Sequence, residues 1–300
     1  MTEYANRSAR GRARTDDEVQ LREKLLSARE RDRRDAALGL VDLADGGSLQ
    51  PSTVARLAGR ATDDDAADVR QFAVEALGLA ARGTDGEGAA EAAIRTALDD
   101  EAGWVRAEAV VAASRAAPDD EATLRNALDD GSGFVRRNAV IGLSKTGAAS
   151  QELLVERIKT DRHPAVREYA ADFLREYAED VSEAVRILAA VLAREPEAFV
   201  RAKAAASLGD LGTDRAEDAL ERHGLNDRSD DVRRSAKRAL ATARGVDPKQ
   251  IDAGLDDPGA PGGGPGSRSD DGPDGPGGGP GGPGMAGVTD GLTQGQRENR

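Results

Sequence analysis

Three groups of side chains in this 300-residue chain have the types and spacing to do chemistry. The largest is a set of acids, each followed six residues later by an arginine. The pairs are Asp64 and Arg70, Asp100 and Arg106, Asp130 and Arg136, Asp161 and Arg167, Glu195 and Arg201, and Asp227 and Arg233. A carboxylate and a guanidinium form a bidentate, charge-assisted pair, and a carboxylate at a turn also accepts N–H groups where a helix begins. Repeated along a chain, this pattern describes a structural ladder that would lock neighbouring units, not a place where bonds are made and broken. The second group is two histidines, His163 and His223. His163 precedes Pro164, which marks a helix start. The sequence sets no nucleophile or orienting group beside either, so base catalysis is not expected. The third is the run Asp63-Asp64-Asp65 with Asp68. It attracts hard cations but lacks the spaced ligands and central glycine of a calcium loop, and reads as a solvated acidic turn. There is no cysteine, which removes disulfides, Cys-ligated zinc, iron–sulfur clusters and thiol nucleophiles. No catalytic residue, metal ligand, cofactor or small-molecule substrate follows from these groups.

The elements that carry them are legible in a repeat. Residues 94–106 read IRTALDDEAGWVR and residues 124–136 read LRNALDDGSGFVR. The Val-Arg pair recurs at Val69, Val105, Val135, Val166, Val200 and Val232, and alanine follows each Val by four residues. Eight residues after the Val stand Leu77, Ala113, Leu143, Leu174, Leu208 and Leu240. Positions 0, 4 and 8 form one stripe of a helix. A second amphipathic segment precedes each acid, so a unit is helix, short acidic turn, helix. A degenerate first copy reads as Arg33-Arg34, with Ala37 and Val41 on its stripe and Ala28 in the acid's place. One such hairpin cannot bury its apolar face alone, whereas a stack of them can.

The acid–Arg ladder and the V-R-x2-A-x3-[LA] helix resemble HEAT repeats, and the short units most resemble the subtype named after phycobilisome lyases. The resemblance implies an all-α fold, an α–α superhelix or HEAT-repeat solenoid whose second helices line the concave surface. It covers about residues 16–245, roughly seven hairpins, at 16–45, 51–82, 87–117, 119–147, 148–179, 180–212 and 213–245. Residues 1–15 form a basic arm with Arg7, Arg10, Arg12 and Arg14. Residues 246–300 form a Gly/Pro/Asp-rich tail, expected to be disordered because it has too little to bury. The formal charge is −13, Asp outnumbers Glu 34 to 21, and Arg outnumbers Lys 36 to 6. This composition resembles that of proteins from salt-loving archaea. No apolar run approaches the length of a membrane helix and the N-terminus is not a secretory signal, so a cytoplasmic protein without membrane insertion is expected.

Function rests on surfaces. Trp104, Phe134 and Phe199 directly precede the repeat Val. Each either staples the start of its helix or stands exposed as an anchor for a partner. Tyr169, Phe173 and Tyr177 recur every four residues and read as core packing on one helix. The face opposite the Val/Ala/Leu stripe carries Gln71, Glu75, Arg137, Ile141, Glu168, Asp172, Arg175, Arg234, Lys237 and Arg238. This mixed surface suits one or more protein partners. The leading expectation is a non-enzymatic scaffold or adaptor that binds proteins on its concave face. Trp104, Phe134, Arg137, Glu168, Arg175, Arg234, Lys237 and Arg238 are its candidate contacts. A bilin or tetrapyrrole lyase-like subunit is the first alternative and a nucleic-acid-binding protein the second. The net negative charge opposes the latter, because affinity for phosphates comes largely from cations.

Overall fold

The computed structural model describes residues 17–81 and 87–252. The basic arm and all but the first residues of the Gly/Pro-rich segment therefore lie outside the described residues. Those described are helices joined by short turns. α1 (Asp17–Lys24) and α2 (Glu30–Gly46) form the first hairpin, α3 (Pro51–Asp63) and α4 (Ala67–Ala80) the second, and α5 (Glu87–Ala97) and α6 (Gly103–Ala116) the third. α7 (Glu121–Asn126) with α8 (Gly133–Lys145) is the fourth, and α9 (Gln151–Thr160) with α10 (Pro164–Phe173) the fifth. α11 (Val181–Arg194) with α12 (Ala198–Leu211) is the sixth, and α13 (Asp214–Ala219) with α14 (Asp230–Arg244) the seventh. A short α15 (Pro248–Asp252) packs on α14, so helix continues past residue 245. None of these helices is long and apolar enough to cross a membrane.

Local chemistry sets the boundaries. Ser150, Asp180 and Thr213 each accept an N–H of the third residue on, capping α9, α11 and α13. Pro51 and Pro164 stand at the first position of α3 and α10, where the missing N–H has no partner to lose. Gly212 and Gly245 end α12 and α14 in the left-handed region.

The stripe residues fill the space between helices. Val69, Val105, Val166, Val200 and Val232 are fully buried, and Val135 is nearly so. The alanines four residues on and the leucines eight on are fully buried as well. Each such leucine contributes about 1.5–3 kcal/mol of transfer free energy. The small alanines let the second helices approach closely. At Gly78 an added Cβ would lie 2.7 Å from the Ala112 Cα, and at Gly209 it would lie 2.6 Å from the Ala239 Cα. Only glycine fits at these two crossings. Successive second helices pack against one another from α2 through α14, more closely than the first helices do.

Candidate interaction surface

The acid and arginine six residues apart are not each other's carboxylate partners. Arg70 reaches forward to the next hairpin, where its Nε and Nη2 donate to the Asp100 carboxylate at 2.7 and 2.9 Å. Its Nη1 donates back to the main-chain carbonyl of Asp64 at 2.8 Å. The same fork joins Arg106 to Asp130, Arg136 to Asp161, Arg167 to Glu195 and Arg201 to Asp227. Each acid also accepts the N–H two residues on, such as Ala102 for Asp100 and His163 for Asp161. That N–H belongs to the residue before the helix, not to the helix itself. Arg233 ends the row: its Nη1 keeps the carbonyl of Asp227, and its carboxylate contact is Asp230 in its own helix.

The first hairpin joins the row in a register one residue earlier than its sequence suggests. Arg33, not Arg34, forks onto Asp64 at 2.6 and 2.8 Å and donates to the carbonyls of Ser27 and Ala28. Its stripe is therefore Ala36 and Leu40, both fully buried, and Ser27 takes the acid's place. The Ser27 hydroxyl accepts the N–H of Arg29, two residues on, as the acids do. Ala37 and Val41 are also buried, which is why composition admitted either register.

The shifts of the paired groups follow from this geometry. The fork of Arg106 holds the Asp130 carboxyl below its ordinary value, and Arg201 does the same for Asp227. At Asp161 burial pushes upward, but Arg136 and the His163 N–H outweigh it. His163 stands just before α10, without a side-chain capping bond, and Pro164 follows as the first helical residue. Its ring sits on Gly133, where a Cβ would come within 2.3 Å, and lies edge-on to Phe134 at 5.1 Å. Burial, then Arg136, lower its pKa. Among the described residues no cluster of three or more His, Asp or Glu is placed to hold a metal ion. Asp64 is turned into the row, and Asp63 and Asp65 border an open notch of about 360 Å³ with Arg70, Asp100 and Glu101.

The outward face of each second helix carries the positions one before the Val and three, six and ten after it. On α4 these are Asp68, Phe72, Glu75 and Leu79; on α6, Trp104, Glu108, Val111 and Arg115; on α8, Phe134, Asn138, Ile141 and Lys145. Trp104, Phe134 and Phe199 are 52%, 53% and 43% exposed. The Arg137 guanidinium lies 5.5 Å above the Phe134 ring and donates to Asn138 Oδ1. Asn138 in turn donates to the Ala107 carbonyl across the α6–α8 contact. Glu168 is half-buried; burial raises its pKa and Lys203 opposes this. Arg175 contacts Asp172 and Asp210 at 2.6 and 3.2 Å. Arg234 pairs with Asp231, and it and Arg238 are exposed on α14, with Lys237 half-buried between them. The structure thus gathers Trp104, Phe134 and Arg137 on adjacent helices, whereas Arg234, Lys237 and Arg238 stand apart in the last hairpin. Tyr169 and Phe173 stack at 6.4 Å against the core, but α10 ends at Phe173, and Tyr177 lies beyond it with its hydroxyl on the Ser144 carbonyl.

One residue of this face was not anticipated. Glu108 is 3% exposed and buried between the second helices. No hydrogen-bond donor reaches its carboxylate among the described residues. Burial first, and the charge of Glu75 second, raise its pKa to about 7, against the pull of Arg115 and Arg137. Asn138, at the same position on α8, is also 3% exposed, so the burial follows from the close approach of successive second helices.

Helical hairpins stacked through a common stripe and joined by a row of arginine forks define an α-solenoid. The sequence matches HEAT repeats at residues 91–175 and 151–241, together half of the chain, and the chain belongs to the HEAT-repeat family. Among solved structures it is similar to YibA of Escherichia coli, with 21% identity, 86% of this chain and 93% of that chain covered, and a TM-score of 0.59. It is also similar to the CpcE–CpcF complex of phycocyanin lyase from Nostoc sp. PCC7120, with 17% identity, 82% and 96% covered, and a TM-score of 0.47. Human deoxyhypusine hydroxylase matches at 22% identity, with 79% and 88% covered and a TM-score of 0.37. The comparison with curated proteins finds no match.

Proposed function

We propose that this chain is a non-enzymatic scaffold that holds a protein partner along the outward face of its second helices. The observation that carries the reading is the row of half-exposed aromatics, Trp104, Phe134 and Phe199, at one register in three hairpins. Aromatic side chains dominate the energetics of protein interfaces, and large apolar groups left open at a repeated position mark a contact surface. The closer stacking of the second helices bends a solenoid toward them, giving the concave surface that such proteins use. Arg137, Glu168, Arg175 and the cations of α14 supply a polar rim with both signs of charge. The cysteine-free sequence is in keeping with work in the cytoplasm.

The test is affinity purification with mass spectrometry from the source organism in its native salt, using the full chain and a Trp104→Ala/Phe134→Ala variant. The variant is expected to lose the partners that the parent retains, with its helical circular dichroism unchanged. Equal capture by both proteins would refute the reading.

A further inference from the structure

We propose that α6 receives a cationic side chain of the protein partner, an arginine or lysine, between the Trp104 indole and the Glu108 carboxylate. This rests on the scaffold reading and names the chemistry of the partner.

Three observations converge on α6. Trp104 and Glu108 are four residues apart on one helix and share a face. The indole is half exposed, and among the described residues it takes part in no ring pair or cation–π contact. Glu108, one turn on, is nine-tenths buried and accepts no hydrogen bond. Its oxygens are not among the fully enclosed, unpartnered atoms, so the carboxylate keeps a narrow opening to solvent.

The cations already present do not meet this demand. Arg137 places two donors on Asn138 and its plane over Phe134. Arg115 acts on Glu108 only through space. The equivalent position on α8, Asn138, is by contrast fully engaged with main chain and Arg137. An ionised carboxylate largely withdrawn from water and without a donor is costly. A guanidinium or ammonium from outside supplies the donor, while its alkyl stem lies along the indole and its charge meets the ring face. The charge of Glu75 on α4 adds to the negative potential at Glu108 and disfavours an acidic group.

Because a bound cation favours the ionised form, affinity rises as pH passes upward through the range near 7 where Glu108 loses its proton. Glu75 on α4, Arg115 on α6 and Arg137 on α8 set that range.

Trp104 is the chain's single tryptophan, so its fluorescence reads this place directly. The full chain is titrated with amidated hexa-arginine, with hexaglutamate as control, at pH 5.5 and pH 8. A saturable change in Trp104 emission is expected with the cationic peptide only, and tighter at pH 8. Glu108→Gln is expected to weaken it about tenfold, the loss of one charge-assisted contact, and to remove the pH dependence. Calorimetry on Trp104→Ala checks the same loss without relying on the fluorophore. Unchanged affinity and pH profile in Glu108→Gln would overturn the inference, as would hexa-arginine binding that leaves Trp104 emission unmoved. Affinity capture separates it from the broader reading. A partner held by the parent and lost by Glu108→Gln supports it. A partner held equally by both overturns it and leaves the scaffold intact, and a partner held by neither overturns the scaffold.

Discussion

Replacing Asp161 by alanine removes an interior rung of the arginine row, and the structure sets its size. The carboxylate accepts two forked bonds from Arg136, at 2.7 and 2.8 Å, and the N–H of His163 at 2.8 Å. The two side chains are 2% and 15% exposed, so neither charge recovers full hydration when its partner leaves. Arg136 keeps only its main-chain bonds to the carbonyls of Asp130 and Gly131. Breaking a buried pair from one side costs about 3–5 kcal/mol, and the fraction of water still reaching Arg136 puts this case near the lower end. For a unit of this size that corresponds to a fall in Tm of about 10 °C. The comparison is Asp230→Ala at the open end, where the pair with Arg233 is exposed and an exposed pair contributes about 0–1 kcal/mol. Urea unfolding followed by far-ultraviolet circular dichroism measures both variants against the parent. If Asp161→Ala lies within about 0.5 kcal/mol of the parent, or if the two variants are equally destabilised, the row does not hold the hairpins together.

Other outcomes follow from the same coordinates. Asp130 and Asp227 have pKa values depressed by Arg106 and Arg201. Their contribution is present above the ordinary carboxylate range and is lost as pH falls through the depressed values, so Asp130→Asn flattens the acid limb of a stability–pH curve. Glu108 has the opposite sign: the folded state holds its proton up to about pH 7, so its burial weakens the fold as pH rises through that window. Glu108→Gln therefore stabilises the chain at pH 8, by up to about 3 kcal/mol, and not at pH 4.5, measured as paired urea midpoints. Gly78→Ala forces α4 from α6 and lowers stability by about 1–3 kcal/mol. Gly59→Ala meets nothing within 4 Å and raises stability by up to about 1 kcal/mol through helix propensity; thermal melts of the two variants decide this.

The stripe of Val, Ala and Leu made the helices and their number legible, because a residue buried once per turn in every hairpin leaves a periodic trace. The acids and arginines were equally visible, but their partners were not. Spacing within a hairpin is constant at six, whereas the distance from Arg70 to Asp100 or from Arg106 to Asp130 varies with loop length. Connectivity across hairpins therefore has no fixed period to read. The first hairpin hid its register because Ser27 does the acid's backbone work without being an acid, and Asp32 stands where valine stands elsewhere. Glu108 lay beyond sequence reasoning because its burial is a property of the α4–α6 approach, not of α6. The exposure of Trp104 was one of two readings of its position, and only packing chose between them.

The arginine row has a direction. Every interior hairpin presents an acid to the unit before it and an arginine to the unit after it. Excising one whole hairpin brings the arginine of its predecessor to the acid of its successor and regenerates the same joint. Chain length is thus decoupled from joint chemistry, and the number of units can change by duplication or deletion without redesign of any contact. The two ends differ in this respect. Arg233 turns its fork back onto Asp230 of its own helix, an exposed pair that the acid of a further unit would replace, whereas Ser27 offers a preceding arginine no charge. Growth of such an array is chemically open at one end and closed at the other.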